Sequence, residues 1–217
     1  MAMTRRERLS RCFRCEETDR PAVYTRTGYP DRDPTYDRLK AYMQAHTEQK
    51  AGFSSARLEP ALPLSRRTEL FREDFERRIE VLETPKGPLT RSFLVSLKGQ
   101  PGMEEKHFIS TAEEAERYLS LPLPVPAGDV SPFFAADAAI GDAGITVVSL
   151  GSNPGGTAAV LCGSENFAML SITDRDILHR LCERQMTILL NRIRFLTARG
   201  VGRSEERRVG KECTIQC

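Results

Sequence analysis

The sequence predicts an α/β fold, and three observations support that prediction. The 217 residues combine 40% hydrophobic with 29% charged side chains, an ordinary composition for a globular protein of this length with a buried core. Residues 77–97 alternate apolar and polar side chains on either side of Pro85-Lys-Gly-Pro88, a pattern typical of a β-hairpin. Residues 131–199 follow the order helix, strand, loop, helix, from which parallel sheets and barrels are built.

The first elements are predicted from capping patterns and apolar spacing. Thr4-Arg-Arg-Glu7 is a capping box, and the apolar side chains of Leu9–Phe13 recur behind it at helical spacing. Ala22-Val-Tyr24 is a candidate for a short strand. Asp33-Pro34 supplies an N-cap and a first-turn proline for a second helix, whose apolar face is predicted to run over Tyr36–His46.

The later elements are predicted in the same way. Ser110-Thr-Ala-Glu113 is a second capping box and starts a short helix, and Ser131-Pro132 starts another. Ile145-Thr-Val-Val-Ser-Leu150 is predicted to be a buried strand that leads into the loop Gly151–Gly156. A long amphipathic helix is predicted over residues 175–199.

Charge and hydropathy exclude several kinds of partner. The formal charge is +2 with both signs interspersed, so no nucleic-acid partner is expected. The longest apolar run, Ala158–Cys162, is far too short to span a membrane, and no apolar leader is found near residue 1. We therefore expect a cytoplasmic protein whose six cysteines are reduced thiols.

The residues themselves assign no metal site and no catalytic group. Cys12-Phe-Arg-Cys15 has the spacing of a redox or zinc motif, but no second pair completes it, and two cysteines at this spacing are more often apolar helix residues. The three histidines, His46, His107 and His179, share no ligand spacing. The charged run Arg72–Arg78 is interpreted as a solvated surface rather than a carboxylate cluster.

The loop after the buried strand is the place where a site is expected. Gly151–Gly156 lacks the Lys-Ser/Thr pair of a phosphate-binding loop, yet barrel active sites are built from loops in this position. Asn153 either directs its amide towards a bound substrate or caps the turn, and both interpretations are open. Asn153 is therefore a candidate substrate-binding residue by position.

The segment 203–217 is predicted not to belong to the native protein. Residues Arg203–Cys213 read Arg-Ser-Glu-Glu-Arg-Arg-Val-Gly-Lys-Glu-Cys and match the translation of a short-read sequencing adapter. The alternative is an ordinary charged tail, which the composition would allow equally well. On the adapter interpretation, residues 1–202 are the N-terminal part of a longer protein whose reading frame continues past Gly202.

Two groups of residues resemble the uroporphyrinogen decarboxylase superfamily. The first is Thr4-Arg-Arg-Glu-Arg8 together with Cys15-Glu-Glu-Thr-Asp-Arg-Pro21. The second is Val148-Ser-Leu-Gly-Ser-Asn-Pro-Gly-Gly156, followed by Gly163-Ser-Glu-Asn-Phe167 and a long helix that ends in Ala198-Arg-Gly-Val201. The second group is similar to the central βα unit of that family.

The resemblance extends over roughly residues 3–202 and implies a barrel fold. Members of the family form a (β/α)8 barrel and are usually dimeric, and a complete barrel has typically about 250 residues. The resemblance therefore implies an incomplete (β/α)8 TIM barrel, its first part only, with the 77–97 hairpin as an insertion.

The resemblance also separates two branches of the family. Decarboxylases carry an R-Q-A-G-R motif whose arginines hold substrate carboxylates. The matching stretch here is Arg26-Thr-Gly-Tyr29, so Arg26 is a candidate substrate-binding residue while the second arginine is missing. Phe53-Ser-Ser55 stands where decarboxylases have F-S-D, and Ala159-Val160 lies in the region of an expected tyrosine.

These departures favour the second branch, which consists of zinc-dependent methyltransferases linked to corrinoid proteins or thiols. In that branch the His and Cys ligands lie in later strands, so no cofactor is expected within residues 1–202 and zinc is expected in the intact parent. The alternatives are a uroporphyrinogen decarboxylase of porphyrin biosynthesis and a non-catalytic tetrapyrrole- or corrinoid-binding protein. The expected partners are a small-molecule or tetrapyrrole substrate, a corrinoid protein and, for a homodimeric parent, a second copy. The fragment itself is expected to be inactive.

Overall fold

The structure, a computed structural model, describes residues 2–24 and 33–202. Its helices are α1 (Arg5–Arg14), α2 (Asp37–His46), α3 (Ala112–Leu119), α4 (Ser131–Ile140), α5 (Pro154–Thr173) and α6 (Arg175–Ala198). Its strands are β1 (Gln49–Ser54), β2 (Leu64–Arg72), β3 (Phe75–Leu82), β4 (Leu89–Ser96), β5 (Met103–Lys106) and β6 (Gly144–Ser149). The predicted mixture of helices and strands is confirmed.

The chain divides into two compact units, each with its own sheet. Among the described residues, the first consists of residues 2–24, 33–58, 127–151 and 192–202, and the second of Glu59–Pro126 and Ser152–Asn191. The described residues contain a two-stranded parallel sheet and a four-stranded antiparallel sheet, and within them no closed barrel is formed.

The sheet of the first unit is the parallel pair β1–β6. The strands are in register from Gln49 opposite Gly144 to Ser54 opposite Ser149. Gly144 has to be glycine, because a Cβ there would collide with the carbonyl group of Gln49. Helix α4 packs against both strands and α1 packs against β6. Parallel strands require a crossover connection, and here the chain inserts the whole antiparallel sheet before α4 returns it to β6.

A small aromatic core stabilises the first unit. The Phe133 side chain is fully buried and meets the ring of Phe53 edge to face, with ring centroids 5.8 Å apart. Aromatic pairs in this geometry contribute more than their buried area alone. The core is completed by the buried side chains of Leu58, Leu196 and Val201.

An ion network joins α1 to the residue before β1. Arg8 and Glu48 are only 5% and 1% exposed, and Arg8 Nη1 donates to Glu48 Oε1 at 2.8 Å. Arg8 also binds both carboxylate oxygens of Asp19, with Nε–Oδ1 at 2.6 Å and Nη2–Oδ2 at 2.9 Å. Glu48 accepts two further hydrogen bonds, from Arg20 Nη2 at 2.7 Å and from the Val23 amide at 2.6 Å. Every charge in the network therefore has an opposite charge within hydrogen-bond distance.

The network holds its carboxylates in the ionised form. The Arg8 guanidinium, through its hydrogen bonds, holds the pKa of Asp19 well below its usual range. Burial by itself would raise the pKa of Glu48, but the bonds from the Val23 amide and from Arg8 outweigh it, so the pKa is lowered. The hydrogen bond to Asp19 in turn raises the pKa of Arg8.

The second unit contains the antiparallel sheet, in the order β2-β3-β4-β5. The predicted hairpin is present as β3 and β4, whose turn is closed by a hydrogen bond from the Gly87 amide to the Thr84 carbonyl at 3.0 Å. The hairpin is thus the middle of a larger sheet, since β2 and β5 extend it on both sides. The sheet shares a core with α3, α5 and α6 that includes Leu82, Leu89, Ile109, Ala115, Tyr118, Cys162 and Leu181.

Helix α5 begins at Pro154, inside the predicted loop, and is kinked at Gly163. Gly163 has φ +74° and ψ 160°, a conformation that is almost restricted to glycine. The imidazole of His107 lies where a Cβ of residue 163 would be. His107 Nδ1 is also 3.3 Å from the Val160 carbonyl oxygen of the same helix. The glycine therefore provides both the backbone conformation and the space for the ring.

Several local predictions differ from the structure. Ala22-Val-Tyr24 is not a strand, although the Val23 carbonyl accepts a hydrogen bond from the Glu48 amide at 2.9 Å. No residue of α2 is buried, so its predicted apolar face is not covered within the described residues. The N-cap of α3 is Thr111, one residue after the predicted Ser110, because the Thr111 hydroxyl accepts from the Glu114 amide.

Replacing Glu48 tests the ion network. We expect Glu48→Gln to lower the free energy of unfolding by about 3 kcal/mol, because it removes one charge from a buried pair and leaves Arg8 and Arg20 without it. Both carboxylates have lowered pKa values in the folded state, so their contribution is present above about pH 4 and is lost as the pH falls. Urea unfolding between pH 7 and pH 3 should show a smaller loss of stability in Glu48→Gln than in the wild type. The control is Glu7→Gln, whose carboxylate is 45% exposed, with a change of about 0.5 kcal/mol at most.

The kink in α5 gives a second test. Gly163→Ala should destabilise the protein by about 3 kcal/mol, since alanine is strained in this backbone conformation and also displaces His107. The matched control is Gly99→Ala, because Gly99 has the same φ of +74° but no atom lies within 4 Å of the place that a Cβ would take there. Its expected cost is about 1 kcal/mol. Equal losses for the two variants in thermal or urea unfolding would contradict the role assigned to His107.

Candidate functional site

The carboxyl ends of β1 and β6 form the candidate functional site. In α/β proteins, ligands bind beyond the carboxyl ends of parallel strands, because the loops that follow the strands meet there. Here Ser54 and Ser149 are the last residues of the two strands, lie opposite each other in the register and are both exposed. Two hydroxyl groups are thus presented at the same edge of the sheet.

The residue after β1 fixes this edge. Ser55 is fully buried, and its Oγ donates to the Ser149 carbonyl oxygen at 2.7 Å. This bond joins the end of β1 to the end of β6 beyond the last register pair. The Ser55 hydroxyl therefore holds the backbones of the two strand ends together.

An arginine of α6 lies at the same edge. Arg192 Nη1 donates to the Leu150 carbonyl oxygen at 2.5 Å, one residue after β6 ends. Gly151 follows with φ +89°, and a Cβ there would lie 3.7 Å from the Arg192 guanidinium. Arginine binds carboxylates and phosphates through charge-assisted hydrogen bonds, and serine hydroxyls can donate to the same groups. Anion binding is therefore the chemistry for which this edge is a candidate.

The two candidate residues named from the sequence have different outcomes. Asn153 is the N-cap of α5, and its Oδ1 accepts a hydrogen bond from the Gly156 amide at 2.6 Å. The capping interpretation is thus confirmed, and a substrate-binding role for Asn153 stays a prediction. Arg26 lies outside the described residues.

The cysteines and histidines of the described residues do not fit a zinc site. Within residues 2–24 and 33–202, no three His, Cys, Asp or Glu side chains are grouped so that they could hold a metal ion. Burial raises the pKa of the Cys162 thiol to about 11 and raises that of Cys182 as well, which opposes the thiolate form that zinc binds. Cys12 and Cys15 are exposed rather than packed in an apolar helix face as predicted.

A second concave surface lies in the second unit, where α5 ends and α6 begins. This open cleft of about 550 Å³ is lined by α3 and by residues 172–177. Two of its charged groups are already used within the chain, because Arg180 forms a bidentate ion pair with Glu116 and lowers the pKa of that carboxylate. It offers no grouping of side chains comparable to the edge of β1 and β6.

Comparison with known proteins adds no relative. The chain matches no family model, no curated protein and no solved structure. Among the described helices, none has the length and apolarity needed to cross a membrane.

The bond between Ser55 and Ser149 can be tested with neighbouring serines. Ser55→Ala should lower the free energy of unfolding by about 1–2 kcal/mol, since the Ser149 carbonyl loses its side-chain donor. Ser54→Ala is the matched control, because the Ser54 side chain is exposed, and its effect should stay within about 0.5 kcal/mol. Urea unfolding of both variants measures the difference. A Ser54 effect as large as that of Ser55 would show that the hydrogen bond does not fix this edge.

Proposed function

We propose that residues 1–202 are the first part of a (β/α)8 barrel of the uroporphyrinogen decarboxylase superfamily. The parallel pair β1–β6, with α4 packed against both strands, supports this proposal because the same unit is repeated around such barrels. On this proposal the predicted hairpin, β3–β4, is the insertion, and the structure extends it by β2 and β5.

The intact parent is proposed to be a cytoplasmic, zinc-dependent and corrinoid-linked methyltransferase. The observation that carries this choice is Ser55. A decarboxylase of this family would present a carboxylate at the end of β1, whereas here a buried hydroxyl donates to the Ser149 carbonyl. The edge of the sheet therefore has no acidic group of its own, among the residues that the structure describes there, with which to bind pyrrole nitrogens.

In this proposal the zinc ligands lie in another part of the parent protein. The described cysteines and histidines are scattered, so no zinc ligand is assigned to them and no reaction step is derived through the metal. When bound, zinc would keep a substrate or protein thiol deprotonated near neutral pH.

The described residues would contribute to substrate binding. Arg192, with the hydroxyls of Ser54 and Ser149, is proposed to bind an anionic group of a small-molecule substrate at the carboxyl ends of β1 and β6. The same cluster would also suit the carboxylates of a tetrapyrrole. Because the same residues could bind tetrapyrrole carboxylates, the second candidates are a uroporphyrinogen decarboxylase and a non-catalytic tetrapyrrole- or corrinoid-binding protein.

Activity assays of the zinc-loaded intact parent distinguish these candidates. We expect loss of the methylcobalamin absorbance in the presence of a small thiol, with formation of the methyl thioether, and about one zinc per chain by elemental analysis. Release of carbon dioxide from uroporphyrinogen would overturn the methyltransferase in favour of a decarboxylase. Tetrapyrrole or corrinoid binding without zinc or turnover would favour the non-catalytic binding protein.

A pair of arginine variants tests the proposed binding edge in the same assay. Arg192→Gln should raise KM for the anionic substrate about tenfold, which corresponds to about 1.4 kcal/mol of binding free energy. Arg199→Gln is the control. Arg199, like Arg192, donates to a backbone carbonyl, but its acceptor is Phe195 in α6 and its side chain is exposed. An unchanged KM in Arg192→Gln would remove Arg192 from the site.

A further inference from the structure

Strand β2 is an exposed edge of the antiparallel sheet. It pairs with β3 on one side, and among the described residues no strand pairs with its other side. Every residue from Ser65 to Leu70 is exposed, and the Leu70 side chain reaches 77% exposure. Such an edge presents a row of backbone donors and acceptors that another strand can bind.

The geometry of an antiparallel ladder limits how two copies of this edge could pair. Only alternate residues of β2 direct their amide and carbonyl groups away from β3. In a two-fold symmetric pair, these outward-facing residues of one copy hydrogen-bond to the outward-facing residues of the other. The two residue numbers of each pair are therefore both even or both odd, so the axis passes beside a residue and not between two residues. The choice of register is thus reduced to a few central residues.

The charges of β2 select one of these registers. An axis at Arg66, Arg67 or Glu69 would place that residue opposite its own copy, which opposes two like charges. An axis at Thr68 places Arg67 opposite Glu69 of the second copy, and Glu69 opposite its Arg67. It also pairs Thr68 with Thr68, a favourable combination across strands.

The same register suits the neighbouring residues. It places Leu70 opposite the Arg66 of the second copy, whose aliphatic stem can cover the exposed leucine. The register of β2 with β3 is interrupted between Leu70 and Arg72, so the regular segment ends just after Leu70. In this register, each of the five residues from Arg66 to Leu70 faces one of the same five residues in the second copy.

We propose that β2 is a homodimerisation edge, at which two copies pair antiparallel about Thr68 and join their sheets into one of eight strands. The occupant of the edge is a second copy of this chain, and the self-complementary pair Arg67–Glu69 sets the register. Within one chain Arg67 Nε lies 3.5 Å from Glu69 Oε1, and the two side chains are 67% and 46% exposed. Both side chains can therefore exchange this ion pair for one with the second copy. The proposal does not depend on the proposed function, because none of these residues belongs to the candidate site.

Charge reversal tests the register in the full chain. Arg67→Glu and Glu69→Arg should each weaken dimerisation about tenfold or more in analytical ultracentrifugation, since each variant creates two like-charge pairs. The double variant Arg67→Glu/Glu69→Arg should restore the wild-type dimer. An equimolar mixture of the two single variants should form heterodimers, because every pair at positions 67 and 69 is then attractive.

The control is Lys86→Glu, which makes the same change of charge in the turn between β3 and β4, where the side chain is 59% exposed. Its dimerisation should equal that of the wild type, and circular dichroism should show the same secondary structure in all variants. A wild-type chain that stays monomeric at high concentration would overturn the proposal. So would single variants that dimerise normally, or a double variant that does not recover.

Discussion

The first unit depends on the ionised state of Glu48. This carboxylate is buried at the point where β1 begins, and burial alone would favour its neutral form. The structure compensates with two arginines and one backbone amide, so that the charged form is retained. Because these donors come from α1, from the segment after it and from Val23, the position of Glu48 fixes where α1 meets the first strand.

The ion network also explains what one of the family-like motifs does. The stretches Thr4–Arg8 and Cys15–Pro21 contain Arg8, Asp19 and Arg20, which are three of the four charged residues of the network. These residues hold α1 against the start of β1 and are remote in sequence from the strand ends where a ligand would bind. A resemblance that rests on these residues concerns the fold, and function has to be argued from the site itself.

The elements that the sequence predicted well are those with local causes. Thr4 caps α1, whereas Asp33 caps the short 3-10 turn Pro34–Tyr36 that precedes α2 and not, as predicted, α2 itself. Both side chains accept hydrogen bonds from amides within three residues, so a short pattern suffices to find them. The hairpin and the strand β6 show the alternation or the compact apolar run typical of partly and fully buried strands. By contrast, β2 has hardly any buried side chain, so its sequence has no apolar alternation by which to recognise it.

The candidate site was harder to predict because its residues are common ones. Ser55 matters only because the neighbouring strand brings the Ser149 carbonyl within 2.7 Å, and the two residues are separated by 94 positions. Arg192 is one of several arginines in α6, and its sequence neighbours do not show that it reaches Leu150. Asn153 was a candidate cap or ligand from the sequence; the first turn of α5 shows that it is a cap, and the ligand role stays a prediction.

Charges on an edge strand have two effects that depend on their order. A row of like charges prevents any pairing, and this is how many proteins protect an exposed edge. In β2 the order Arg67-Thr-Glu69 opposes pairing in the registers centred on either charged residue, because each would then face its own copy. The same order permits the register centred on Thr68, so a strand that is protected against unspecific association keeps one specific way to associate. The bulge after Leu70 adds to this selectivity, because it shortens the segment over which a shifted register could form.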